Sequence, residues 1–168
     1  LGIGAIQHGR DLGGSLRYPA YCCAVATIRP SLGRVPAFNA TAPEERPPAL
    51  QMMSVQGPIA REVKDVRLAL AVMAAGDPRD PLWVPAPLNG LNSDGPVRVA
   101  VTKNPAGLPC DPAVAAAVDR AAGILSDAGY AVEAQDPPAV DLAASCWRGL
   151  LAAETRLSMA PVIREHGS

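Results

Sequence analysis

The sequence predicts an α/β fold, and three consecutive segments of its C-terminal half carry that expectation. Val97-Arg-Val-Ala-Val-Thr102 alternates with the period of two of a half-buried strand, and Asp94-Gly95-Pro96 punctuates its start. Asp111 then offers an N-cap with Pro112 at the first helical position. Val114, Val118, Ala121, Leu125 and Ala128 recur at helical spacing until Gly129. Tyr130-Ala-Val-Glu-Ala134 follows at once as a second strand. Strand, helix, strand in that order implies a right-handed crossover joining parallel neighbours.

The remaining elements are read from the N-terminus. Gly2, Gly4, Gly9, Gly13 and Gly14 crowd an opening that carries no helix or strand start signal, and the chain begins at Leu1 with no initiator Met. It reads as entry into the middle of a fold. A helix is expected from Ala60 to Ala75, with Ile59, Val63, Val66, Leu70 and Met73 on one face and Gly76-Asp77-Pro78 ending it. Another is expected from Asp141 to Met159, with Leu142, Cys146, Leu150, Ala153 and Leu157 as its apolar stripe. The stretches 34–51 and 76–96 are Pro-rich, with Pro47-Pro48, Pro78, Pro81, Pro85 and Pro87 blocking helix and sheet. Both read as long loops laid over a surface, since Phe38, Leu82, Trp83 and Leu88 favour burial.

Composition narrows the function classes. The 168 residues include 15 Lys and Arg against 16 Asp and Glu, a net charge of −1, which argues against a nucleic-acid or anionic-lipid partner. A hydrophobic content of 49 % suffices for a core. No apolar run reaches the roughly 18 residues of a membrane span, and no secretory signal opens the chain, so a soluble cytoplasmic protein is expected. Cys22, Cys23, Cys110 and Cys146 lack C-x-x-C spacing and read as buried reduced thiols.

Three Gly-rich motifs each fail at a residue their mechanism requires. Gln7 stands where a dinucleotide fingerprint needs Gly, Ser15 where a P-loop needs Lys, and Arg17 where a nucleophile elbow needs Gly. What remains is Asp11-Leu12-Gly13-Gly14-Ser15-Leu16-Arg17-Tyr18-Pro19-Ala20, a hydroxyl just after two glycines. The spacing fits two accounts. Ser15 could be a nucleophile beside backbone N–H groups that form an oxyanion hole, or a helix N-cap after a Gly-Gly turn.

The run Asp11 to Ala20 resembles the core of the amidase signature: Asp, any residue, Gly-Gly-Ser, an aliphatic residue, Arg, any residue, Pro and a small residue. Ile28-Arg-Pro-Ser-Leu-Gly-Arg-Val-Pro36 and Ser54-Val-Gln-Gly-Pro-Ile-Ala-Arg61 are similar to later blocks of that family. Val63, Asp65 and Leu70 stand in register, with Gly76-Asp77 and Asp80-Pro81 beyond. The resemblance implies a mixed, mainly parallel central sheet with helices on both faces. Residues 1–168 would then be part of a single amidase-signature domain, truncated at the N-terminus and at the C-terminus.

The implied activity is hydrolysis of a carboxylic amide to acid plus ammonia or amine through a Ser15 acyl-enzyme, without cofactor or metal, on a small-molecule substrate. Ser15 matches the family's nucleophile, and the backbone N–H groups of Leu12, Gly13, Gly14 and Ser15 match its oxyanion hole. Asp11 and Arg17 would pair to hold the loop. The family's relay runs from a neutral Lys through a second Ser at a cis peptide bond, and the resemblance places both upstream of this chain. A desolvated Lys is a sound base, because burial lowers its pKa.

Lys64 and Lys103, the only lysines, follow the signature and read as solvated, and His8 and His166 as structural or exposed. Trp83 and Trp147 read as core. Arg10 stands where the family has Ser, Thr or Asn, and Ala24 and Ala26 stand at small or Gly positions. Two alternatives follow: a non-catalytic truncated amidase-like chain, and a tRNA-dependent amidotransferase A-type subunit, which usually has Thr where Leu12 stands.

Overall fold

The computed structural model describes residues 3–41, 46–90 and 95–167, and the structural statements below concern those residues. They form two compact units, Leu1–Asn89 and Gly90–Ser168, described separately.

The first unit contains β1 (Ile6–Asp11), α1 (Arg17–Cys23), β2 (Ala26–Thr27), α2 (Pro48–Met53), β3 (Val55–Ala60) and α3 (Val63–Met73). Its sheet has the order β1-β3-β2, antiparallel throughout, with Ile6 opposite Ala60 and Asp11 opposite Val55. β3 lies in the middle, and Val55, Gln56, Gly57, Pro58 and Ala60 are buried along it. A Pro inside a central strand removes a ladder donor. Here β2 stops opposite Ile59, one residue short of Pro58, and the Thr27 hydroxyl donates to the Pro58 carbonyl at 2.8 Å.

Three expectations are corrected here. The Gly-rich opening, which carries no strand start signal, forms β1, because pairing with β3 satisfies a backbone whose own sequence carries little strand preference. The helix expected from Ala60 starts at Val63, and Ile59 and Ala60 belong to β3. A strand buried on both faces reads as a continuous apolar run that periodicity cannot distinguish from helix. Pro47-Pro48 does not block a helix: Pro48 opens α2, where its missing N–H is one of the unsatisfied first-turn donors in any case.

The two Pro-rich stretches are stitched to each other. Gly33 accepts from the Val84 N–H, and the Arg34 guanidinium donates to the carbonyls of Ala86 and Pro87. The buried Asp80 accepts from the N–H groups of Ala37 and Leu82 at 2.6 and 2.9 Å. Arg79 lies over the Phe38 ring, 4.3 Å from its centroid. Trp83 is half-buried against Gly76, where a Cβ would meet its ring at 2.8 Å. Phe38, Leu82 and Leu88 stay substantially exposed, contrary to expectation.

The second unit contains β4 (Arg98–Val101), a short 3₁₀ turn (Pro105–Gly107), α4 (Pro112–Asp127), β5 (Ala131–Ala134) and α5 (Val140–His166). β4 and β5 pair in parallel, Arg98 opposite Ala131, as the strand-helix-strand order requires. The Asp111 carboxylate caps α4 by accepting from the Ala113 N–H at 2.8 Å. Val114, Val118 and Leu125 are half-buried on it, while Ala121 and Ala128 are exposed. The chain is therefore mixed α/β. Its parallel pairing is confined to β4 and β5, since the larger sheet is antiparallel.

α5 runs past its expected end at Met159, through Pro161, and His166, expected in a polar tail, is its last residue. Its expected stripe is also corrected: Leu142, Cys146, Leu150, Ala153 and Leu157 are exposed, and the half-buried row is Val140, Ala144, Trp147, Leu151 and Glu154. Both rows are spaced for a helix face, and the one bearing the Trp147 ring is the one that packs. The cysteines are free, but Cys22, Cys23 and Cys146 are exposed and Cys110 half-buried, so the expected burial does not hold.

Candidate active site

β1 delivers Asp11 to the start of the Gly-Gly-Ser loop, and Leu16 closes it; both are 0 % exposed. The Leu16 side chain is received by two glycines. A Cβ on Gly9 would meet Leu16 Cδ2 at 2.7 Å, and one on Gly57 would meet Leu16 Cδ1 at 2.6 Å. Gly9 and Gly57 face each other across β1 and β3, so the sheet itself has the notch that seats Leu16. Gly14 has φ 112°, a conformation that L side chains rarely adopt, which explains glycine there.

The Asp11 carboxylate organises the loop. Oδ1 accepts from the Gly14 N–H at 2.9 Å, and Oδ2 accepts from the N–H groups of Leu16 and Arg17 at 3.1 and 3.4 Å. The Arg17 guanidinium closes over both oxygens, Nε donating to Oδ2 at 3.1 Å and Nη2 to Oδ1 at 3.0 Å. Such a two-pronged, charge-assisted pair fixes orientation as well as distance. The Arg17 hydrogen bonds, helped by those from Gly14 and Leu16, outweigh burial and hold the Asp11 carboxyl well below the usual carboxylate range.

Ser15 is carried exposed between these anchors. It is not the cap of α1: the residue at that position is Leu16, with no side-chain cap. Of the four backbone donors matched to an oxyanion hole, the Gly14 N–H is engaged by Asp11. Gly13 is exposed and Leu12 half-buried.

The other singled-out residues lie elsewhere. Lys64 pairs with Glu62 at 2.6 Å and Lys103 with Asp119 at 3.0 Å, both on exposed surface. His8 is exposed on β1, and His166 lies 3.8 Å from Glu165. Arg10 is exposed opposite Gln56. Ala24 ends α1 in the left-handed conformation, φ 52°, and Ala26 pairs with Ala60. Sequence reasoning assigned no role to Arg29, whose Nε lies 3.5 Å from Asp11 Oδ1. A cation inside the second matched block was the available signal. Among the described residues no cluster of His, Cys, Asp and Glu could hold a metal ion, and no helix is long and apolar enough to cross a membrane.

Fold and loop together define the class, an α/β protein of amidase-signature architecture. A bacterial aryl acylamidase of the amidase signature enzymes superposes with a TM-score of 0.73 at 26 % identity, covering 98 % of this chain and 34 % of its own. The family model Amidase matches residues 1–162, and the chain belongs to that family. It is 53 % identical over 154 residues to the indoleacetamide hydrolase of Bradyrhizobium diazoefficiens, covering 92 % of this chain. The A-type subunit of the glutamyl-tRNA(Gln) amidotransferase from Picosynechococcus is 31 % identical over 79 % of it. The chain spans 29 % of the length of the first relative and 28 % of the second.

Proposed function

We propose that the protein containing this chain hydrolyses a carboxylic amide to acid plus ammonia or amine, with Ser15 as the acyl-accepting nucleophile. The observation that carries the reading is the Asp11-anchored loop, which presents one exposed hydroxyl between two buried residues while the carboxylate and Arg17 fix its backbone. Attack by Ser15 Oγ on the amide carbon forms the ester and breaks the C–N bond, the hydroxyl proton passing through the base to the departing nitrogen, which leaves as ammonia or amine. Water then releases the acid from the ester, regenerating the hydroxyl. The backbone N–H groups of Leu12, Gly13 and Ser15 are the candidate donors to the tetrahedral oxyanion, while the Gly14 N–H stays on the Asp11 carboxylate and holds the turn. Similarity to indoleacetamide hydrolase favours a primary amide with an aromatic acyl group.

The two units would be parts of one amidase domain whose base and second serine lie outside these 168 residues. A second reading applies to the chain by itself: it is not catalytic. Both of its lysines are exposed and ion-paired, the opposite of the desolvated neutral Lys that can act as a base. Amide turnover by the purified 168-residue chain would refute that.

The direct test uses the full-length protein, a fluorophosphonate and indole-3-acetamide. A single adduct is expected on Ser15, and Ser15→Ala should abolish labelling and lower turnover by at least about 10³-fold. An active protein with no adduct at Ser15 would remove the assignment.

A further inference from the structure

Arg29 bridges two parts of the first unit. Its Nη2 donates to the Met53 carbonyl at 2.7 Å, at the end of α2, while its Nε faces Asp11 Oδ1 at 3.5 Å. The second contact is longer than a normal hydrogen bond, so it acts as a charge contact. Gly57 makes the approach possible: a Cβ there would lie 2.5 Å from the Ile28 carbonyl, so the residue before Arg29 passes directly against β3. The fully buried carboxylate thus faces two guanidinium groups, Arg17 from its own loop and Arg29 from a distant segment. The rigid fork of Arg can engage a carbonyl and a carboxylate with different nitrogens, which a single ammonium cannot do in the same way.

We propose that Arg29 is a positioning residue for Ser15. Braced on the Met53 carbonyl, it holds the Asp11 carboxylate in the orientation from which both oxygens grip the Gly-Gly-Ser loop. The role acts through Asp11 and rests on the reading of Ser15 as nucleophile. Arg17 ties the carboxylate to the loop's own exit, whereas Arg29 ties it to the end of α2.

The test compares wild type, Arg29→Met, Arg29→Lys and Arg29→Gln in the full-length protein, by the rate of fluorophosphonate labelling at Ser15 per folded molecule and by kcat and KM for a primary amide. Arg29→Met should lower labelling rate and kcat by about tenfold or more with KM nearly unchanged, the signature of a misplaced reacting group. Arg29→Lys should recover part of the loss. Wild-type labelling and kcat in folded Arg29→Met, or a rise in KM alone, would overturn the proposal. If Arg29→Met does not fold, Arg29→Gln must be slower than Arg29→Lys, and equal rates would overturn it. Absence of wild-type labelling at Ser15 would instead overturn the underlying reading, and this proposal with it.

Discussion

Asp11 shows how one buried charge can be tolerated and used. Its carboxylate has no solvent contact, yet three backbone N–H groups and the Arg17 side chain occupy its acceptor positions. Truncation would strand those donors, including the buried Leu16 N–H, at about 1–3 kcal/mol for such a loss. Asp11→Ala should therefore lower the thermal midpoint at neutral pH. Because the folded pKa is depressed below the ordinary 3.8, the stabilisation is fully present above that value and is lost as pH falls through the folded pKa. The gap between wild type and Asp11→Ala should stay constant from about pH 7 to pH 5 and narrow below 3.8, measured by thermal denaturation. The pairing of Asp11 with Arg17 was legible in the sequence because both residues lie in one short signature. The participation of Arg29 was not, because it arrives from eighteen positions away through the passage over Gly57.

Helix α1 ends on a non-glycine left-handed residue. The Ala24 N–H reaches back to the Tyr21 carbonyl with φ 52° and ψ 45°, a conformation disfavoured for a residue with a Cβ by about 1–2 kcal/mol. Ala24→Gly removes that penalty but increases the freedom of the unfolded chain, leaving a net gain of about 0.5–1 kcal/mol. Chemical denaturation should show a higher midpoint with an unchanged slope. The α4 cap and the β4–β5 pairing were readable because Asp111-Pro112 and the alternating strands are local signals. β1 and β3 were not. One has a Gly-rich sequence made into a strand by its partner, and the other is apolar without alternation because it is buried in the middle of a sheet. The row of α5 that packs was ambiguous for a related reason: two apolar rows compete on one helix, and only tertiary contact decides between them.

Across the molecule, burial is uneven. Leu16, Ala20, Val35, Ala49, Val55, Ala60, Val66 and Ala69 form the core of the first unit, and no described residue after Asp80 is buried. Local stability follows packing, so in the 168-residue chain by itself amides in β3 should exchange more slowly than those in β4 and β5, by at least about tenfold in native-state hydrogen exchange. Equal protection in the two units would contradict this. The overall class was legible because α/β order is a chain-wide pattern, whereas the antiparallel sense of the larger sheet depends on pairings between distant segments that no local motif announces. Asp11 and Leu16, both without solvent contact, also bracket a tether of only four residues. Strung between two fixed posts, it has little slack. On the proposed role of Ser15, a loop pinned so close to its ends leaves the fitting of a different acyl group to the walls around it.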